Sequence, residues 1–171
     1  MKAEELVRNV NETFNSLTKF SESYVSVMEL SDSPSQFLRD VGLPKSAAPF
    51  VSFDEYEEQE LPQDYVYIGS TASGDWICIK KQIGDIYIID HEEMSYTLFM
   101  NSSVMQLAEC LLIYKALVKK AQEANGKRAM LERNIPADLI EKSKNDLLAC
   151  DERSLDKGSF WWETMDVLVT P

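Results

Sequence analysis

Two runs rich in β-branched residues, Trp76-Ile-Cys-Ile-Lys80 and Ile86-Tyr-Ile-Ile89, lie close together, and Gly84-Asp85 stands between them. Glycine tolerates the positive φ that a tight reversal needs, so this pattern predicts a β-hairpin. Met100-Asn-Ser-Ser103 then opens a long apolar helical pattern running to about Lys120. A hairpin feeding directly into a buried helix restricts the chain to an α+β architecture. Ile86-Tyr-Ile-Ile89 is apolar on both faces, which predicts a central strand covered in part on both sides.

Further strands are expected at Phe50–Phe53, Tyr65–Ile68 and Tyr96–Met100, giving a central antiparallel or mixed sheet from residues 50–100. Gly69-Ser-Thr-Ala-Ser-Gly74 reads as a turn. Val104, Leu107, Ala108, Leu111 and Val118 share one face of the long helix, and Cys110, Ile113 and Leu117 widen it. Helices flank the sheet at both ends. Leu6, Val10, Phe14 and Leu17 recur at helical spacing over residues 3–20. Residues 24–30 fit strand or helix. Ser33-Pro34 reads as a cap followed by proline at the first helical position, and Gly42 as the left-handed stop of that helix. Pro136 opens a further helix, with Leu139, Ile140, Leu147 and Leu148 as its apolar positions. A last helix covers Phe160 to Val167, where Trp161 and Trp162 cannot both face the core.

The chain carries 29 acidic against 17 basic residues in 171, a net charge of -12. Such a surface repels phosphate backbones and anionic membranes, so neither nucleic acid nor membrane is an expected partner. The bland reading of the acidity is solubility; the sharper one is a basic protein partner. Cys78, Cys110 and Cys150 are scattered and odd in number, with no Cys-x-x-Cys, and read as buried thiols. Unpaired thiols and the absence of an apolar leader point to a reducing cytoplasm.

Candidate chemistry is sparse. Gly69 and Gly74 have phosphate-loop spacing, but Asp75-Trp76 stands where Lys-Ser/Thr belongs, and a strand follows instead of a helix. Asp90-His91-Glu92-Glu93 is the one run of metal-capable side chains and contains the only histidine. It lacks helical ligand spacing and reads as a solvated turn. No metal or cofactor is therefore expected. One histidine and no Gly-x-Ser-x-Gly elbow leave nucleophilic catalysis without a frame. Asn101-Ser102-Ser103 reads as a helix cap.

The segment Asp54 to Asp64 is the candidate binding site. Asp54, Glu55, Glu57, Glu58, Glu60 and Asp64 surround Tyr56 and Leu61, with Tyr65 and Tyr67 on the adjoining strand. Carboxylates steer a cationic partner, and interleaved apolar groups anchor it. The plain alternative is a solvated loop.

Five segments, in order, carry a resemblance. Phe37-Leu-Arg-Asp-Val-Gly-Leu-Pro44 resembles the F-L-x-x-x-G-L-P opening of the SUKH superfamily, especially its fourth subgroup. Tyr67-Ile-Gly69, Gly74-x-x-Ile77-x-Ile79 and Gly84-Asp-Ile-Tyr87 resemble its strand-turn-strand core. Met100-Asn-Ser-Ser103 resembles its step into the long helix, and Phe160-Trp161 its terminal aromatic helix. The resemblance spans residues 34–168. Residues 1–30, 91–97 and 126–134 have no counterpart in it. It implies one SUKH-like domain over 1–171, with 1–30 as an N-terminal helical extension and 34–168 as the core. It also implies a non-catalytic bacterial immunity protein that binds and neutralises a polymorphic toxin domain of nuclease or deaminase type. Other branches are regulatory or adaptor proteins, the first rival reading. A small metal-dependent hydrolase around Asp90-His91-Glu92-Glu93 is the second. The resemblance brings no catalytic residues to carry over, and toxin contacts vary among its members.

Overall fold

The computed structural model describes residues 1–56, 61–93 and 96–169. Six strands form one antiparallel sheet in which chain order is also spatial order: β3 (Ser46–Ala47), β4 (Val51–Phe53), β5 (Tyr65–Thr71), β6 (Trp76–Lys80), β7 (Ile86–Ile89) and β8 (Thr97–Asn101). A two-stranded pair, β1 (Leu17–Thr18) with β2 (Leu43–Pro44), stands beside it. The helices are α1 (Ala3–Thr13), α2 (Glu22–Ser26), α3 (Asp32–Asp40), α4 (Val104–Asn125), α5 (Ala137–Cys150) and α6 (Phe160–Asp166). The expected α+β class holds, and the sheet is antiparallel throughout.

Alternation along the strands sorts side chains onto two faces. Val66, Ile68, Ile77, Ile79, Ile86, Ile88 and Met100 join the main core with Leu107, Leu111 and Leu117 of α4. Leu6 and Val10 of α1, Phe37 and Leu38 of α3, and Trp161 and Met165 of α6 belong to the same cluster. Ser103 caps α4 by accepting from the Gln106 N–H, and Gly126, at φ 91°, ends it. On α4, Tyr114 is buried where Ile113 and Val118 are only half-buried. Trp161 is fully buried and Trp162 half-buried, as their opposed directions require.

Several boundaries differ from the sequence expectation. The first helix stops at Thr13 and not near residue 20. Lys115 of α4 donates to the Thr13 carbonyl (2.7 Å), and Leu17–Thr18 are recruited into strand pairing with β2. Of residues 24–30, the first three belong to helix α2 (Glu22–Ser26), capped by Ser21, and the rest form a turn and its exit. Helix α3 begins at Asp32 behind Ser31, which places Pro34 third in the helix. There too the missing N–H has no intrahelical acceptor to lose. The Gly69–Gly74 turn is shorter than expected, because Gly69–Thr71 are strand and only residues 72–75 reverse the chain. The sheet bulges between Tyr67 and Gly69, and a Cβ at Gly69 would collide with the Ser52 carbonyl oxygen. The β6–β7 connection is the five-residue segment 81–85, with Gln82 as well as Gly84 at positive φ.

Candidate functional site

The sheet face turned away from α4 carries the aromatic residues. Pairing aligns Tyr67 with Cys78, Cys78 with Tyr87, and Tyr87 with Phe99 across β5 to β8. Tyr65 and Trp76 flank this row. The rings meet edge to face: Tyr65 with Tyr87 (5.9 Å), Tyr87 with Phe99 (5.7 Å) and Tyr56 with Tyr67 (5.9 Å). Edge-to-face geometry is the favoured one for aromatic quadrupoles. Tyr65, Trp76, Tyr87 and Phe99 remain half-buried, whereas Cys78 and Ile89 are fully covered. Burial pushes the Cys78 thiol up to about 12.

The described residues of the predicted acidic segment do different jobs. Asp54 accepts from the Tyr67 hydroxyl at 2.9 Å. The Glu55 carboxylate accepts from the backbone N–H and the hydroxyl of Ser21. It therefore sits at the N-terminus of α2, where a negative charge offsets free backbone N–H groups. Tyr56 is 57% exposed, and its backbone is held by Tyr24. The Tyr24 hydroxyl lies 2.7 Å from the Tyr56 carbonyl and 2.9 Å from that of Tyr67, and accepts from the Tyr56 N–H. Burial pushes the hydroxyls of Tyr24 and Tyr67 up to about 12, so both remain protonated donors. Glu57, Glu58 and Glu60 lie outside the described residues. Leu61 packs onto the cluster of Tyr67, Cys78 and Ile89. Asp64 is exposed at the entry to β5. Tyr24, Val27, Tyr56, Leu61, Tyr65 and Tyr67 line a cleft of about 360 Å³.

At the other side of the face, Arg153 reaches the sheet from the loop after α5. Its guanidinium donates to Asp85 at 2.8 Å and lies 4.0 Å from the centre of the Phe99 ring. The Tyr87 hydroxyl donates to the same Asp85 carboxylate at 3.3 Å. The hydrogen bond to Asp85 holds the Arg153 pKa above its usual value against some desolvation. Nothing in the sequence marks Arg153, Asp85 and Phe99 as neighbours; only the strand register hints at the Tyr87–Phe99 pair.

Residues 90–93 form the expected turn, closed by Asp90 accepting from the N–H groups of Glu92 and Glu93 (both 2.8 Å). His91 contacts Asp75 at 3.0 Å, so the turn meets the β5–β6 reversal. Ligand-capable atoms of Asp75, Asp90 and His91 lie within 4.8 Å of one another, though His91 is exposed. Asn101-Ser102-Ser103 caps α4 as expected, through Ser103, while Asn101 has another role. Asn101 is fully buried, donates to Asp151 (3.1 Å) and accepts from the Trp161 indole N–H (2.9 Å). Ser102 donates to Asp151 twice, from its N–H (2.8 Å) and its hydroxyl (2.9 Å).

A family model described as SUKH-4 immunity protein matches residues 3–168. The match takes in the N-terminal helix and residues 91–97 and 126–134, which the motif resemblance left without counterparts. No curated protein matches the chain. No solved structure matches it either.

Proposed function

The chain belongs to the SUKH-4 immunity protein family, and on that premise we propose that it is a non-catalytic inhibitor that binds a cognate bacterial toxin domain. The family match over residues 3–168 carries this reading. We read the toxin as cationic and of nuclease or deaminase type. An enzyme acting on nucleic acid presents positive charge to phosphates, and a chain of net charge -12 complements it. The partly open aromatic face supplies groups suited to anchoring such a partner. Asp54, Glu55, Tyr56, Glu57, Glu58, Glu60 and Asp64 belong to the proposed contact region. The meeting place is the bacterial cytoplasm, where an intracellular toxin reaches its substrate. No helix among the described residues is long and apolar enough to cross a membrane.

Co-expression in a bacterial host with the toxin domain encoded next to this gene tests the reading. Growth should be rescued, the two proteins should co-purify, and purified chain should inhibit the toxin's activity stoichiometrically. Rescue without a complex would favour a regulator of another step. Absence of both rescue and complex with every neighbouring toxin domain would remove the immunity reading.

A further inference from the structure

Two of the three cysteines touch across a helix pair. Cys110 belongs to α4 and Cys150 is the last residue of α5, yet their sulfurs are 3.7 Å apart, with the Cys110 S–H donating. Neighbouring groups hold both. Gln106, one turn before Cys110, donates to the Cys150 carbonyl (3.1 Å), and its own carbonyl accepts from the Cys150 thiol (3.5 Å). Asn101 donates to the Cys110 sulfur (3.3 Å). A disulfide needs its sulfurs at about 2.05 Å, so the remaining approach is only about 1.7 Å. The two thiols differ in access: Cys110 is fully buried and Cys150 half-buried. Cys78 packs elsewhere, with Tyr67 and Ile89 on the opposite face of the sheet.

We propose that Cys110 and Cys150 form a reversible dithiol–disulfide pair oxidised by hydroperoxides, with Cys150 the entry thiol and Cys110 the resolving one. The Cys150 thiolate attacks the peroxide: an S–O bond forms, the O–O bond breaks, and the leaving oxygen takes up the proton that Cys150 released. The Cys110 sulfur then attacks the Cys150 sulfur. The S–S bond forms, the S–O bond breaks, and water departs with the Cys110 proton. The two thiols together lose two electrons, and the hydroperoxide gains them. Exchange with a small thiol reverses the bond. The hydrogen bond to Cys150 and burial keep Cys110 protonated, so closure is the slow step and brief treatment with a thiol reagent stops at Cys150. Once formed, the bond closes residues 110–150 into a loop, which restricts the unfolded chain. It also fixes the end of α5, from which Asp151 and Arg153 follow. The pair is independent of the immunity reading, and no outcome below bears on that reading.

The test treats the reduced full chain with hydrogen peroxide, alkylates the remaining thiols after denaturation, and maps the peptides by mass spectrometry. The chain should lose two hydrogens and yield one peptide pair joined through Cys110 and Cys150, while Cys78 is recovered alkylated. Dithiothreitol should reverse the loss. The urea midpoint of the oxidised chain should shift upward from that of the reduced chain. Cys110→Ser should halt at a sulfenic acid on Cys150, trapped by a cyclic 1,3-diketone. Cys150→Ser should leave both remaining thiols reduced. Should either variant fail to fold, the peptide map of the wild-type chain decides alone. Oxidation of Cys150 to the sulfinic acid without a cross-link, a bond through Cys78 or between two chains, or three intact thiols after prolonged treatment would each overturn the assignment.

Discussion

The indole N–H of Trp161 donates to the buried side-chain oxygen of Asn101 at 2.9 Å, across sixty residues of sequence. On its other side Asn101 donates to Asp151. Strand β8, the end of α5 and helix α6 are thus joined by one polar chain inside an apolar core. Buried donors and acceptors are costly when orphaned, so each member depends on the others. Trp161→Phe should leave the Asn101 oxygen without its donor, costing about 1–3 kcal/mol, with a further cost for the void left by the smaller ring. Asp151→Ala removes the acceptor of four donors at once, two of them from Ser102 and one the backbone N–H of Arg153, and should cost more. Urea denaturation followed by tryptophan fluorescence and far-UV dichroism measures both. Coincident transitions would also support the reading of residues 1–171 as one folding unit, whereas two separated transitions would sink it.

The glycines separate by what surrounds them. Gly42 and Gly84 both adopt positive φ, at 84° and 86°. At Gly42 a Cβ would also strike the Thr18 carbonyl, where β1 passes against the end of α3. At Gly84 the nearest obstacle is a Leu30 methyl at 3.5 Å, an ordinary contact. Gly84→Ala should therefore cost only the left-handed strain, on the order of 1 kcal/mol. Gly42→Ala adds a backbone collision that no side-chain movement relieves, and should cost distinctly more. Equal melting temperatures for the two variants would contradict this ranking.

His91 is the only histidine, so its ring protons report a single titration. The hydrogen bond to Asp75 raises its pKa above 6.5. Asp75 is lowered in turn: burial pushes it upward, but hydrogen bonds from Ser73 and His91 outweigh that. A raised histidine pKa contributes stability below its unfolded value and loses it as pH rises through the folded one. A depressed aspartate pKa contributes above its unfolded value and loses it as pH falls through the folded one. The contact is thus favourable only between the two folded pKa values. NMR titration should place His91 above 6.5 in the wild-type chain and nearer to it in Asp75→Asn. Identical titration curves would mean that the pair does not form in solution.

Thiol chemistry should follow burial. Cys78 is raised to about 12 by desolvation. Cys110 is raised by its hydrogen bond to Cys150 and by desolvation, and its sulfur lies 3.7 Å from that of Cys150. Thiolate is the reactive form, and only Cys150 has partial exposure. An aromatic disulfide reagent should therefore modify one thiol in the native state and the other two on unfolding. Native labelling that persists unchanged in Cys150→Ser would refute the order.

What could be read from the sequence was what is written locally. Alternating apolar runs gave the strands from Val51 to Asn101, and 3.6-residue periodicity gave α4. Elements whose limits depend on distant partners were misplaced. Helix α1 ends at Thr13 because β2 and Lys115 claim the following residues. Ile89, on the side of the sheet away from α4, is buried because Trp76, Leu61 and neighbouring residues fold over it, a cover that local sequence does not reveal. The buried role of Asn101, beside the Ser103 cap, was not legible because its partners, Asp151 and Trp161, are fifty and sixty positions away. The acidic segment was visible as charge, but not the hydrogen bond that sets Glu55 apart from its neighbours.

That distinction changes how the acidic segment should be tested. Glu55 holds the start of α2, so replacing it mixes stability with binding. Glu55→Ala should lower stability by about 0.5–1 kcal/mol, the usual range for a lost contact at a helix N-terminus. Neutralising Glu57, Glu58 and Glu60 together, with Glu55 kept, isolates the long-range charge. Removing three charges weakens the field that guides encounter but leaves the aromatic row in place, so association should slow while dissociation changes little. The effect should be largest at low ionic strength and fade as the screening length contracts to about 10 Å near 0.1 M salt. Stopped-flow association with the toxin domain over a salt series provides the measurement. An unchanged on-rate at low salt would reduce these three glutamates to a solubilising tract, and the aromatic face would remain as the place to look for the contact.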